Sequence, residues 1–454
     1  AVLSFVRAGP PLSAAVRRVA VVGSGVAGLA AAWHLAHDTA GTSVTLFEAD
    51  ARFGGHAHTV ELTLNGQAFG VDTGFLVYNE RTYPKLIRLF ERLGVATAAS
   101  DMSFSVQAPR LGLEWSGSDL GSVFAQRRNL VSPRFWGMLS DILRFNRLAT
   151  AMAERGDDSL LSQAVGDFLA EHRFGAMFRD AYFLPMIGSI WSCPTSQMMN
   201  FPVGTLIRFC HNHGLLQVND RPRWFTVQGG SRHYVDKMVA QLPDARRSHP
   251  VRSVRRQPPG VDGGTAGVWI ETDHGSERFD EVVLACHAPQ SLALLADASP
   301  DERAVLGAIR TQPNRAVLHT DASLLPRRPR AWAAWNYEGA GPAASDTGEV
   351  CLHYLLNKLQ PLPCAQPVIV SLNPIREPHP GTVHGEFDYA HPVFDTAAVA
   401  AQRRVPSLQG RGHVWFCGAW TRYGFHEDGL ASGLAVVDAL KARWSVDSAW
   451  RQAA

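Results

Sequence analysis

The stretch Arg17-Arg18-Val-Ala-Val-Val-Gly23-Ser24-Gly25-Val-Ala27-Gly28-Leu-Ala-Ala-Ala-Trp33 reads as a strand, a tight turn and a helix. Val19 to Val22 form a short run of β-branched and small residues that ends at glycine, the pattern of a parallel strand buried on both faces. Gly23-x-Gly25-x-x-Gly28 is a dinucleotide fingerprint. Its first glycine makes the turn, its second lets backbone approach a pyrophosphate, and its third lets helix lie close on strand. The unpaired N–H groups and dipole at the helix N-terminus favour the negative charge. Alone the motif is weak. Here Val44-Thr-Leu-Phe47 follows as a second strand and ends in Glu48, 20 residues beyond Gly28. That is the offset at which a carboxylate meets a ribose hydroxyl. Strand, glycines, helix, strand and acid in register make the signal strong.

A chain of 454 residues is too long for one simple core, so two domains are expected. Hydrophobic residues at 46% and charged residues at 19% describe a globular chain, not a disordered one. A formal net charge of +2 gives no electrostatic case for nucleic acid. Six cysteines (Cys193, Cys210, Cys286, Cys351, Cys364, Cys417) form no Cys-x-x-Cys pair. This argues against zinc ribbons and disulfide frameworks and for a reducing, cytoplasmic setting. Arg17-Arg18 ahead of an apolar run imitates an export signal, but the glycine pattern inside the run and Glu48 beyond it explain it better. No other run approaches the roughly 20 apolar residues of a membrane span.

Residues 1–16, with Gly9-Pro10-Pro11, read as a loose leader. Past Glu48 and Ala49 comes Arg52-Phe-Gly54-Gly55-His56, a second close approach of backbone, with Arg52 placed to face a phosphate. Val60-Glu-Leu-Thr-Leu64 alternates, Asn65-Gly66 turns, and Gln67 to Val71 returns as a hairpin ending in Asp72-Thr73-Gly74-Phe75.

With these residues in view, the sequence resembles the flavin-dependent amine oxidase superfamily, which includes monoamine and polyamine oxidases, protoporphyrinogen oxidase and carotene desaturases. The resemblance rests on Gly23-Ser-Gly25-Val-Ala-Gly28, Glu48, Arg52-Phe-Gly54-Gly55 and Asp72-Thr-Gly74. Within it, the chain looks most like a bacterial group of NAD/FAD-binding proteins, through Asp72–Phe75, Tyr78–Pro84, His211–Leu215 and Gly424–Gly429. Members of that group often neighbour genes for cyclopropane-type fatty-acid methylation, which implies lipid chemistry and a lipid-modifying enzyme as a partner.

From Tyr83 to Gln217 the pattern is mainly helical. Leu86, Leu89, Phe90 and Leu93 share one face of a helix that stops at Gly94. Phe135 to Phe145 is a longer amphipathic stretch, flanked by Arg127, Arg128, Arg134, Arg144 and Arg147. It reads either as a solvated basic face over a core, the commoner case, or as a face lying on an acidic membrane surface. Tyr182, Phe183 and Trp191 are apolar enough to line a core or a pocket. His211-x-His213 would share a face only in a strand, and no nearby Cys or Asp completes a metal site, so no metal is expected. Four segments, Ala316–Thr320, Val350–Tyr354, Val368–Leu372 and His384–Asp388, suggest an antiparallel sheet, with loops at 339–348 and 358–381.

The end of the chain returns to the first domain. His413 to Trp420 is a strand and turn, and Gly429 to Leu440 is a helix. The resemblance implies that this turn and helix meet the flavin. A helix N-terminus suits a group that gathers negative charge on reduction. A second glycine-bearing strand–turn–helix so far downstream favours FAD over NAD. The implied FAD-binding residues are Gly23, Ser24, Gly25, Ala27, Gly28, Glu48, Ala49, Arg52, Gly54, Gly55, His56, Thr73, Gly74, Phe75, Val251 (in a strand whose valine meets adenine), Gly418, Gly429, Leu430 and Ser432. No cysteine stands where the family links flavin covalently, so noncovalent FAD is expected. Amine oxidases of the superfamily often keep a lysine near the flavin. Lys358, the only lysine in 291–409, matches that context poorly.

The sequence therefore predicts an α/β protein. A discontinuous Rossmann-type FAD-binding domain would occupy 17–82, 218–290 and 410–445. An α+β substrate domain with a mixed or antiparallel sheet and helices would occupy 83–217 and 291–409, with tails at 1–16 and 446–454. His426 is the acid/base candidate, since histidine titrates near neutrality; Glu427 and Asp428 would cap the helix after it. The expected activity is FAD-dependent desaturation or hydride-shuttling isomerisation of an apolar, fatty-acyl or lipid substrate, in the cytoplasm or against the inner face of the membrane. Amine oxidation, or a noncatalytic flavoprotein serving a lipid-modifying enzyme, remain as alternatives.

Overall fold

The computed structural model describes residues 16–156, 163–192, 195–217, 221–260, 265–339 and 350–453. Residues 1–15, Cys193 and most of the expected 339–348 loop lie outside them.

Arg17–Val22 is the centre of a five-stranded sheet in the order Asp244–Arg246, Thr42–Phe47, Arg17–Val22, Glu281–Leu284, Val414–Phe416. Every neighbouring pair is parallel. Val19 and Val21 enter one hydrophobic core, with Leu29, Trp33 and Leu440 from the helices on that face. Ala20 and Val22 enter another, with Phe47, Val254 and Phe279. Both faces are buried, which explains the unbroken apolar run. The Arg17-Arg18 pair belongs to this strand: Arg18 pairs with Glu277 at 3.1 Å and its guanidinium lies over the Phe279 ring.

A seven-stranded sheet forms a second layer, in the order Val383–Pro392, Thr311–His319, Ile369–Leu372, Cys351–Leu355, Trp335–Glu338, Phe104–Ala108, Leu113–Ser116. It is antiparallel except where Trp335–Glu338 meets Phe104–Ala108. It is thus a mixed sheet, and three strands between residues 97 and 116 interrupt the region expected to be helical. Helices Pro133–Arg155, Val165–Glu171, Leu184–Trp191 and Val203–Asn212 build an aromatic-rich core against its Phe104–Ser116 edge.

The hairpin Thr59–Leu64/Gln67–Asp72 turns at Asn65 and Gly66, both with positive φ (51° and 78°), as a type I′ turn requires. Several segments pack across the expected domain boundaries. Leu62, Leu64 and Val71 of the hairpin join Ala316, Leu318 and Leu352 of the seven-stranded sheet. Helix Pro84–Leu93 lays its apolar face on the core of the parallel sheet. Helices Pro300–Ala308 and Thr396–Gln402 join the opposite face of that sheet. Periodicity says which face is buried, not what covers it. The last helix runs His426–Ala453, so it starts before Gly429 and continues through the expected tail.

Candidate functional site

The loop after Arg17–Val22 gives each glycine a separate task. Gly23 has φ +104°, and a Cβ there would lie 2.9 Å from the Ala285 carbonyl oxygen. A Cβ on Gly28 would lie 1.8 Å from the Gly23 oxygen, so the helix rests directly on the turn. Gly25 caps the helix Val26–Asp38 with φ −62°, and a Cβ on it would meet no protein atom within 4 Å. The Glu48 carboxylate accepts from Ser24 N at 2.9 Å, Ser24 Oγ at 2.5 Å and Asp50 N at 2.9 Å. Gly54 N donates in turn to Ser24 Oγ at 3.1 Å. Ser24 therefore ties the glycine turn, the Glu48 carboxylate and the Gly54-Gly55 turn into one unit.

This unit opens onto a cavity of about 820 Å³, at the large end of the 300–1,000 Å³ usual for ligand sites. Residues at or just beyond the carboxyl ends of all five parallel strands line it: Val22, Phe47, His249, Ala285 and Gly418 among them. That is where open α/β sheets bind ligands. Trp335, Tyr354, Tyr389 and His391 of the second sheet and Ile190, Trp191, Phe209 and His213 of the helical layer complete the wall.

Three features fit a dinucleotide with a diphosphate. The space in front of Gly25 is clear at a helix N-terminus. Arg52 Nη1 and His56 Nε2 are buried without a protein partner, and both residues line the same cavity. Buried polar atoms of this kind are normally satisfied, so a phosphate-bearing ligand suits them. Burial, then the neighbouring His391 and His287, holds His56 well below the usual histidine range. Burial, with the neighbouring His287 adding to it, lowers His391 to about 4, and Asn314 Nδ2 lies 2.7 Å from its Nδ1.

Of the residues expected from sequence, Gly23, Ser24, Gly25, Ala27, Glu48, Ala49, Arg52, Gly55, His56, Gly74, Phe75, Val251, Gly418 and His426 line the cavity. Gly28, Gly54, Thr73, Gly429, Leu430 and Ser432 stand behind that lining. A Cβ on Gly54 would lie 2.5 Å from Ala57 O, a tight turn and not a ligand face. Thr73 Oγ1 bonds the Tyr389 hydroxyl at 2.6 Å. Leu430 is fully buried in the core, and Gly429 makes room for Val26. Ser432 Oγ accepts from Gly418 N at 2.8 Å and so fixes the turn that does reach the cavity.

His426 corrects the expectation of a residue titrating near neutrality. Burial pushes it down to about 3. Its ring stacks on Phe75 at 3.8 Å and 11°, and its Nε2 lies 2.6 Å from the Tyr234 hydroxyl. Tyr234 is fully buried and burial raises its pKa, so its hydroxyl stays protonated and shares a hydrogen bond with the neutral ring.

Glu427 caps a different helix from the one expected: its carboxylate accepts from Lys85 N and Leu86 N, each at 2.9 Å, in the first turn of Pro84–Leu93. Asp428 accepts from Phe425 N at 3.0 Å, at the start of its own helix. His211 and His213 lie at the end of the helix Val203–Asn212, where residues two apart point to different sides. Only His213 lines the cavity; it stacks on Phe209, and burial lowers it to about 4. Lys358 pairs with Asp101 at 3.5 Å away from the cavity, and no lysine occurs among its described lining residues.

Sequence reasoning assigned no role to Cys286, His287, Tyr389 or His391, which also line the cavity. The position of Cys286-His287 just after a strand that belongs to the nucleotide sheet was the available signal. Burial lifts the Cys286 thiol to about 11, which leaves it a poor nucleophile. Cys417 is fully buried outside the lining. Glu338, Cys351 and His353 gather elsewhere within 4.8 Å of one another. Arg376 Nε at 3.0 Å and His353 Nε2 at 2.9 Å already hold the Glu338 carboxylate, and Ser371 meets His353 Nδ1.

A parallel nucleotide sheet, a glycine turn beneath a cavity and a second mixed sheet over it define a two-layer fold with a dinucleotide-type cleft between its sheets. Residues 26–318, more than half of the chain, match the profile of the flavin containing amine oxidoreductases, and the chain belongs to that family. It is 29% identical over 324 residues to the carotenoid phi-ring synthase of Streptomyces griseus. That match covers 65% of this chain and 58% of the relative's length. The CLA-producing fatty acid isomerase of P. acnes shares the fold with a TM-score of 0.62 at 16% identity, over 94% of this chain and 98% of that one. Cyclohexylamine oxidase of Brevibacterium oxydans IH-35A does so with a TM-score of 0.63 at 16% identity, over 94% and 99%. Among the described residues no helix is long and apolar enough to cross a membrane.

Proposed function

We propose that this chain holds FAD noncovalently and acts on an apolar, lipid-like substrate, by desaturation or by an isomerisation that is redox-neutral overall. The observation that carries the reading is the wall supplied by the helical layer and second sheet. It includes Met102, Ile190, Trp191, Phe209, Leu215, Trp335, Phe394 and Phe425, and Asp388 is the one carboxylate among its described residues. The noncovalent attachment rests on the cysteines, since Cys286 alone lines the cavity among those described and burial keeps its thiol protonated. Two proteins similar in sequence or fold bear names that refer to a carotenoid and to a fatty acid, which agrees with this reading.

A bound flavin supplies two-electron chemistry by taking up or returning a hydride. The chain supplies the rest. Arg52, His56 and the first turn after Gly25 hold the diphosphate, and Glu48 the ribose. The apolar wall holds an acyl chain, each methylene contributing up to about 0.8 kcal/mol before ordering costs. The same wall keeps water from the reacting carbon. His426 offers a neutral imidazole at a fixed orientation, set by Phe75 and Tyr234.

Amine oxidation is the second reading. The rings of Trp191, Phe209 and Tyr423 offer faces on which an ammonium could rest. Acid precipitation should release FAD from the purified protein. Anaerobic titration with acyl chains of increasing length, free and phospholipid-bound, should bleach the flavin, with half-saturation tightening and then reaching a plateau. Bleaching by short amines alone would replace the lipid reading with amine oxidation. No bleaching by either would favour a noncatalytic role beside another enzyme.

A further inference from the structure

We infer that the face built from residues 111–147 docks on an anionic phospholipid surface. Six large apolar side chains in this segment are exposed: Leu111, Leu120, Leu130, Val131, Trp136 and Leu143. Only three others stand exposed among the remaining described residues, Val16, Ile375 and Val446, far apart in the chain. Val131 is 83% exposed, Leu120 79% and Trp136 50%.

The elements that carry them are bound to one another. Trp136 Nε1 donates to Leu130 O at 2.9 Å, and the Trp136 ring packs 5.4 Å from Phe124. Phe124 closes the short helix that begins at Leu120. Gln126 Nε2 donates to Gly112 O at 2.8 Å, beside Leu111. On the helix Pro133–Arg155, the exposed residues Trp136, Ser140, Leu143 and Arg147 recur at helical spacing and so share one outward face. The apolar side chains therefore stand together on one side of the molecule, and isolated exposed apolar residues would be the ordinary case.

Charge selects the partner. Arg147 is exposed on this face and Arg127 in the turn that precedes the helix, neither with a carboxylate within ion-pair reach among the described residues. The two acids of the segment that reach the surface are engaged. Asp119 caps the helix Leu120–Val123, and Asp141 accepts from Arg144 and from Gly175 N. Arg144 is consequently turned along the protein, and its Nη1 also donates to His172 O. An apolar patch rimmed by free guanidinium groups complements the interface of an anionic bilayer: apolar side chains enter the acyl boundary while arginines meet phosphates. A nucleic acid would leave the apolar side chains in water, and a neutral apolar partner would leave the arginines unpaired.

The inference is independent of the substrate, and its test measures binding only. The holoprotein is floated with vesicles of phosphatidylglycerol and phosphatidylethanolamine, and separately with phosphatidylcholine alone. It should rise with the first, weaken as salt goes from 0.1 to 0.5 M, and stay behind with the second. Arg127→Glu/Arg147→Glu should weaken binding by roughly fivefold or more for each arginine. Val131→Asp/Leu143→Asp should abolish it while flavin content and the absorbance spectrum stay unchanged, which shows that the fold survives. Equal affinity for phosphatidylcholine, or wild-type binding by both variants, overturns the proposal. So does a protein that ignores vesicles but forms a dimer that Val131→Asp/Leu143→Asp breaks: the patch would then join two copies of the chain.

Discussion

Replacing Gly25 with valine separates the cofactor site from the fold. The new Cβ would meet no protein atom within 4 Å, and φ −62° suits any L residue. The folded apoprotein should lose only the preference for glycine over valine at a helix cap, about 1 kcal/mol. The valine methyls would instead fill the space in front of the first-turn N–H groups, where the proposed function puts the diphosphate. Losing two hydrogen bonds to charged oxygens costs about 3–6 kcal/mol, or roughly 10²- to 10⁴-fold in FAD affinity. Gly28→Ala is the contrast: its Cβ would sit 1.8 Å from Gly23 O, so the helix must leave the strand and the apoprotein itself should fail. The assay pairs fluorescence titration of apoprotein with FAD and urea unfolding without it. Wild-type affinity in Gly25→Val, or an apoprotein as damaged as Gly28→Ala, would refute the assignment of the turn.

Three further outcomes are expected. Glu48→Ala should weaken FAD about 10- to 150-fold and also lower the urea midpoint of the apoprotein, because Ser24 N and Asp50 N lose their acceptor; unchanged affinity in the same titration would move the ribose contact elsewhere. Because His426 is neutral down to about pH 3, the rate of substrate-dependent flavin reduction should be flat from pH 6 to 8, with Tyr234→Phe lowering it while FAD stays bound. A step near pH 6.5 that disappears in His426→Gln would contradict the neutral ring. Burial lowers His213 and His391 to about 4, so the unfolded chain takes up these protons first as pH falls. Stability should be complete above about pH 6.5 and decline below it by up to about 1.4 kcal/mol per pH unit for each histidine; equal urea midpoints at pH 7.5 and 5 would show that these rings are not buried neutral.

The glycine turn, Glu48 and the Asn65-Gly66 hairpin could be read from sequence because each depends on local chemistry: positive φ, close approach, or a fixed offset. The strands Phe104–Ala108 and Leu113–Ser116 escaped because four or five residues hold too few alternations to stand out among helices. Trp191 and Phe209 line the cavity while Phe135 and Phe145 fill the core next to it, yet all four are aromatic residues on apolar helix faces. What divides them is tertiary packing. Glu427 shows the same limit: it stands at the start of a helix but caps one that lies more than 300 residues earlier. The titration of His426 likewise follows from burial beside Phe75, which no spacing in the sequence encodes.

The strand order of the parallel sheet has a consequence for synthesis. The strand Val414–Phe416 and the turn at Gly418 are needed to complete the cavity, yet they leave the ribosome long after Glu48. At 5–20 residues per second, roughly 20 to 70 s separate the two ends of the site. Until then the glycine turn has only half of its cleft and an exposed sheet edge, so the nascent chain cannot retain a dinucleotide. A dinucleotide would therefore meet its full set of contacts only once the turn at Gly418 has been made.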